Sequence, residues 1–166
     1  MQNNPDYSIS PATITDVPLI LSLIKELAEY ERLSHMVVAS EDMLSEQLFG
    51  SQPCAQVVIA REKNIPVGFA LFFWNFSTFL GKPGMYLEDL FVRPEFRGKG
   101  YGKALLLHLA GIAKKRGCGR FEWSVLDWNK PAIQFYESLG AVNMKEWNLY
   151  RVTGAALDHL AHQSEV

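Results

Sequence analysis

Arg97-Gly98-Lys99-Gly100-Tyr101-Gly102 joins an extended apolar segment to a long amphipathic one. The segment before it, Met85-Tyr86-Leu87-Glu88-Asp89-Leu90-Phe91-Val92, is rich in aromatic and aliphatic side chains and predicts a strand. Pro94, which has no N–H to give a ladder, ends that strand. On the other side, Leu105, Leu106, Leu109, Ile112 and Ala113 recur at helical spacing, so a helix runs from Tyr101 until Gly117 stops it. Alternating glycines let successive backbone N–H groups converge on one point. The first helical turn adds unbonded donors and a partial positive charge. The junction is built for an anion, and a diphosphate matches such a nest.

Spacing excludes two familiar phosphate motifs. A P-loop needs Lys followed by Ser or Thr and a glycine five residues before the last one; here Ala104 follows Lys103, and Arg97 stands where the first glycine belongs. A dinucleotide fingerprint fails in both registers, ending on Lys103 when read from Gly98 and on Leu105 when read from Gly100. What remains, Arg-x-x-Gly-x-Gly after a strand, resembles the pyrophosphate loop of the GNAT superfamily of acyl-CoA-dependent N-acetyltransferases. Taken alone, the hexapeptide is also compatible with a glycine-rich turn that holds no ligand.

Outward from the loop, the chain alternates strand and helix without repeats. Tyr7 to Ala12 predicts a first strand, Thr15-Asp16 caps a helix bearing Leu19, Ile20, Leu23, Ile24 and Leu27 to about Tyr30, and Ser40 caps a second helix ending at Gly50. Ala55 to Glu62 and Pro66 to Asn75 read as a hairpin about Lys63-Asn64-Ile65, and Gly81-Lys82-Pro83-Gly84 turns the chain into the strand before the loop. Arg120 to Leu126 is a further strand, parallel to its predecessor because a helix crosses between them. A helix from Lys130 to Leu139 comes next, then a hairpin through Ala141-Val142 and Trp147 to Val152, and a short helix from Ala155 to His162. By this pattern 1-166 forms a single domain of α/β (α+β) class, with a mixed, mostly antiparallel sheet flanked by helices.

Composition narrows the function classes. The 166 residues are 48% hydrophobic and 20% charged with a formal net charge of -2, which favours neither disorder nor a nucleic-acid partner. Cys54 and Cys118 supply no disulfide framework or zinc cluster, so no metal is expected. The N-terminal residues lack a basic and apolar leader pattern, and no run approaches the ~20 apolar residues of a membrane span. A cytoplasmic enzyme without a membrane partner is the expectation.

A second segment, Val125-Leu126-Asp127-Trp128-Asn129-Lys130-Pro131-Ala132-Ile133-Gln134-Phe135-Tyr136-Glu137-Ser138-Leu139-Gly140-Ala141, resembles the GNAT stretch in which an Asn contacts the pantetheine arm and a helical Tyr stands beside the thioester. With Ile24-Lys25-Glu26-Leu27-Ala28-Glu29-Tyr30-Glu31 and Tyr86 to Val92, the whole resembles the diamine acetyltransferase subfamily, in particular its thialysine-acetylating branch. The resemblance implies a GNAT fold with strands splayed at the cofactor slot, acetyl-CoA as cosubstrate, a small-molecule amine as acceptor, and a homodimer using Trp147 and Tyr150 to Val152. It implies cofactor contacts from Leu90, Phe91, Val92, Arg97, Gly98, Lys99, Gly100, Tyr101, Gly102, Lys103, Asn129, Ala132 and Tyr136. Tyr30, Glu31 and Glu88 would hold the amine.

An aliphatic ammonium has a pKa near ~10.4, so only about one molecule in 10³ is nucleophilic at neutral pH and a proton must be removed. Glu88 is the candidate acceptor, acting directly or through water, and Tyr136 the candidate acid for the leaving thiolate. By strand alternation Asp89 points away from Glu88 and reads as a structural acid. Asn129 also reads as the cap of its helix. The stretch Asn75 to Lys82 carries no acid, and Ser77-Thr78 resembles the thialysine-type branch, which favours a lysine-like or short diamine substrate over spermidine. Two other functions stay open: a protein or peptide N-acetyltransferase, against which Trp74 and Phe79 imply a narrow entrance, and a non-catalytic acyl-CoA-binding module.

Overall fold

The computed structural model describes residues 7–163. The chain divides into two compact units between Ser124 and Val125. The first holds strands β1 (Tyr7–Pro11), β2 (Gln56–Glu62), β3 (Ile65–Ser77), β4 (Lys82–Val92) and β5 (Arg120–Trp123), with helices α1 (Val17–Tyr30), α2 (Glu41–Phe49) and α3 (Tyr101–Lys115). The strands lie in chain order across one sheet; all neighbours are antiparallel except β4 and β5, which are parallel as the α3 crossover requires.

Local chemistry accounts for the boundaries. Asp16 stands at the N-cap of α1, and a short 3₁₀ turn leads into it: Thr13 opens that turn, and its N–H donates to the Asp16 carboxylate at 2.8 Å. The Ser40 hydroxyl accepts from the Met43 N–H at the start of α2. Lys63 and Asn64 form a two-residue hairpin turn with φ of 49° and 66°, a backbone that matches the twist of β2 and β3. Gly117, at φ 75°, ends α3.

One core cluster packs Ile20, Leu23 and Leu27 of α1 and Leu48 of α2 on Val57, Ile59, Phe69 and Phe91 of the sheet. Leu105 and Leu109 of α3 are fully buried as well. Gly68 marks a tight point where β3 meets β4: an added Cβ would collide with the Phe91 carbonyl oxygen and lie 3.1 Å from the Val92 Cα. Because both neighbours are backbone, Gly68→Ala is expected to cost about 1–3 kcal/mol. In a chain of this size, differential scanning calorimetry should show Tm falling by roughly 2–4 °C per kcal/mol.

In the second unit, α4 (Lys130–Ser138) and α5 (Ala155–His162) form where the pattern places them. The hairpin expected through 141–152 does not form: that stretch is irregular, with Val142, Trp147, Leu149 and Tyr150 exposed. Alternating apolar residues favour a strand only when another strand supplies the ladder, and an isolated two-stranded hairpin is marginal in water.

Candidate active site

The β4–α3 junction brings Leu90, Phe91, Val92 and the loop from Arg97 to Lys103 together. Gly98 and Gly100 have φ of 76° and 89°, left-handed values natural to glycine, and open space stands where their side chains would be. The first-turn N–H groups of Tyr101, Gly102 and Lys103 have no carbonyl one turn earlier to bond. Donors without partners, open space and a helix N-terminus fit a diphosphate. Lys99 and Lys103 are exposed beside them. Arg97 is engaged elsewhere: its guanidinium lies 4.3 Å from the centre of the Tyr30 ring and its Nε donates to the Val92 carbonyl at 2.9 Å.

The strand before the loop has an open edge. The β4–β5 ladder runs from Gly84↔Arg120 to Leu87↔Trp123 and stops, while β4 continues to Val92. Along that stretch, among the described residues, β4 is paired on one side only, by β3. A strand edge without a ladder partner can pair with an extended polar ligand, as in strand addition.

Glu88 is the first residue past the end of that ladder, and the β3–β4 register slips there. Leu71 pairs with Asp89 and Phe72 with Leu87, so Glu88 is the extra residue of a β-bulge. Asp89 shares the phase of Phe91, on the α1 side of the sheet, and its partner Leu71 packs against the α1 core cluster. There it is partly buried, and desolvation, with Glu88 and Glu31 beside it, pushes its pKa up from the usual 3.8 to about 7. Glu31, just past the C-terminus of α1, is also raised by burial. Among the described residues no cation pairs with Asp89. Three carboxyl groups from α1 and β4 are thus gathered next to the open edge, with Glu88 exposed and Asp89 desolvated.

Asn129, Ala132 and Tyr136 belong to the second unit. The Asn129 carboxamide oxygen accepts from the Ala132 N–H at 3.3 Å, so it caps α4 as its position predicts. Tyr136 is half-buried on α4 with its ring 5.3 Å from that of Phe135, and its carbonyl accepts from the N–H of Ala141 at 3.2 Å.

The Trp74 ring is covered by the Arg116 guanidinium at 4.2 Å and meets Phe72 edge to face. Phe79, 93% exposed, stands at the β3–β4 turn. There Ser77 is buried and spends its hydroxyl on the Leu80 N–H. Glu88 is six strand positions from Lys82, about 20 Å away. Sequence reasoning missed Asp89 as a site group. Its adjacency to Glu88 was visible, but its desolvation and the nearness of Glu31 depend on tertiary packing.

The profile of the acetyltransferase (GNAT) family matches residues 20–141. The chain is 40% identical to an L-ornithine N5-acetyltransferase of Arabidopsis thaliana, with 88% of this chain and 84% of that protein covered. It is 37% identical to the thialysine N-epsilon-acetyltransferase of Mus musculus, with 92% and 96% covered. A solved integron cassette protein of V. cholerae superposes with a TM-score of 0.80 at 32% identity, covering 94% of this chain and 98% of that one. An aminoglycoside acetyltransferase from a soil metagenome, at 19% identity and a TM-score of 0.77, shares the fold. A glycine loop at a helix N-terminus beside an open strand edge, a profile over most of the chain and relatives matched nearly end to end leave one conclusion: the chain belongs to the GNAT acetyltransferase family and is an N-acetyltransferase.

Proposed function

We propose that this N-acetyltransferase moves the acetyl group of acetyl-CoA directly to a primary amine of a thialysine-, lysine- or diamine-like small molecule. The observation that carries the reading is the end of the β4–β5 ladder at Leu87↔Trp123, immediately before the bulged, exposed Glu88. The open edge at Leu90, Phe91 and Val92 would pair with the amides of the pantetheine arm. The N–H groups of Gly98 to Lys103 would take the diphosphate, with Lys99 and Lys103 adding charge. Arg97 would contribute by fixing the loop to Tyr30 and Val92.

Glu88 would take the proton of the substrate ammonium, directly or through water. The free amine attacks the thioester carbonyl carbon, the C–S bond breaks as Tyr136 protonates the departing thiolate, and the proton then lost by the new amide nitrogen, passed through solvent, restores the phenol. Glu31 and Asp89, with Tyr30, would hold a second ammonium. Thialysine and ornithine, named for relatives, each carry two amino groups on a short chain, which suits carboxyl groups gathered at one end of α1. Asn129 and Ala132 would hold the pantetheine arm, a role that rests on their motif. The 166 residues would act as one catalytic domain. A homodimer in the cytoplasm belongs to the same reading, supported by the exposure of Trp147 (72%) and Tyr150 (88%) in a stretch without ladder partners.

Steady-state kcat/KM for thialysine, lysine, ornithine, putrescine and spermidine tests the substrate class. A short amino-acid or diamine acceptor is expected to lead the panel; a clear preference for spermidine, or for a peptide lysine, would overturn it. Tyr136→Phe is expected to lower kcat at least tenfold, within the range of general-acid effects. CoA affinity measured by calorimetry should be unchanged.

A further inference from the structure

A second cluster stands behind the pyrophosphate loop, and the role assigned to it rests on the reading of that loop as the diphosphate site. Tyr7 and Glu62 are directly opposed at the end of the β1–β2 ladder. The Tyr7 ring stacks on that of Tyr101 at 5.0 Å, and Tyr101, the first residue of α3, is only 7% exposed. The Tyr101 hydroxyl donates to Glu62 Oε1, while Lys99 Nζ lies 3.6 Å from Glu62 Oε2. One carboxylate therefore holds both the residue that opens the helix and the cation in the middle of the loop.

The loop needs such a hold. Gly98 and Gly100 have no side chains to pack, and nothing lies within 4 Å of where a Cβ would stand. Their backbone freedom must be removed for the N–H groups to converge, and removing it before binding raises affinity. The link also keeps its protonation through the neutral range. Burial and Glu62 push the Tyr101 phenol up to about 12, while the Tyr101 hydrogen bond and Lys99 hold the Glu62 carboxyl below its ordinary value.

We propose that Glu62 and Tyr101 are positioning residues for cosubstrate binding: the bond between them anchors the first turn of α3, whose N–H groups receive the CoA diphosphate. Glu62 itself is an anion near an anion site. If its role were only electrostatic, removing it would tighten CoA binding; if it positions the loop, removing it weakens binding despite the lost repulsion. The sign of the change separates the two.

Isothermal titration of CoA into the full-length protein tests this, with thermal melts confirming that each variant is folded. Tyr101→Phe, which keeps the ring and the net charge, is expected to raise Kd about tenfold, the scale of a charge-assisted hydrogen bond. Glu62→Ala should raise it about fivefold. Glu62→Gln, whose amide oxygen still accepts from the phenol, should stay within about twofold of wild type. The double variant Tyr101→Phe/Glu62→Ala should be no weaker than Tyr101→Phe alone, because one bond is lost in both cases. The KM for the amine should remain within about twofold throughout. Tighter or unchanged binding in Glu62→Ala, an unchanged Tyr101→Phe, or additive losses would each overturn the proposal. Should Glu62→Ala not fold, Tyr101→Phe and Glu62→Gln still decide it. If the wild-type protein itself fails to bind CoA, the reading of the loop is wrong; if it binds and the variants match it, only the positioning role falls.

Discussion

Glu88→Gln is expected to lower kcat by about 10²- to 10³-fold, the range spanned by loss of a positioned proton acceptor. At pH 7 the acceptor amine is almost wholly protonated, so a group that takes its proton acts on nearly every turnover. The glutamine is close in shape to the native side chain and leaves the bulge intact, but it has no basic oxygen. As pH rises toward the amine pKa of ~10.4, free amine becomes available without the acceptor, and the ratio of wild-type to variant rates should shrink. Steady-state rates from about pH 6.5 to 9.5 measure this directly, spanning the approach to that amine pKa. A ratio that stays flat with pH would assign Glu88 to binding, and an unchanged kcat would remove it from the mechanism.

Asp89→Asn should stabilise the folded chain at neutral pH and impair turnover. In the fold the carboxyl has a pKa of about 7, against an ordinary 3.8, because it is desolvated beside Glu88 and Glu31. Below the ordinary value both states are protonated and the group contributes nothing. As pH rises from about 4 to 7 the unfolded chain ionises while the fold resists, so stability falls; above about 7 the full penalty is present. A shift of this size corresponds to at most about 4 kcal/mol, and roughly half survives relaxation and residual solvent contact. Asparagine removes the penalty. The variant should melt roughly 5 °C or more above wild type at about pH 7.5 and level with it near pH 3.5. A stabilised variant with depressed kcat/KM for the amine is the pattern of a strained functional group. Equal or lower Tm on the alkaline side of that range would show that Asp89 is already compensated.

Much of this was legible in the residues. The glycine loop sits between a strand and a helix because Pro94 stops the one and the stripe from Leu105 to Ala113 requires the other, both local effects. The parallel pairing of β5 came from the single helix between the strands. Three features were not legible, for related reasons. The bulge at Glu88 is fixed by the register with β3, and the desolvation of Asp89 beside Glu88 and Glu31 by tertiary packing, so neither could be read along β4 alone. The stretch 141–152 has strand-like side chains but forms no ladder with a partner strand. The Glu62–Tyr101 bond joins residues 39 positions apart and depends on where α3 begins above the sheet. Each is set by pairing between distant segments, which local propensity does not encode.

A crystal structure of the protein with acetyl-CoA and an unreactive analogue of the amine tests the central claim most directly. Diphosphate oxygens are expected within hydrogen-bond distance of backbone N–H groups between Gly98 and Lys103, pantetheine amides along the open edge of β4 at Leu90 to Val92, and the acceptor nitrogen at Glu88. A diphosphate bound away from the loop, or an acceptor nitrogen out of reach of Glu88 even through one water, would contradict it.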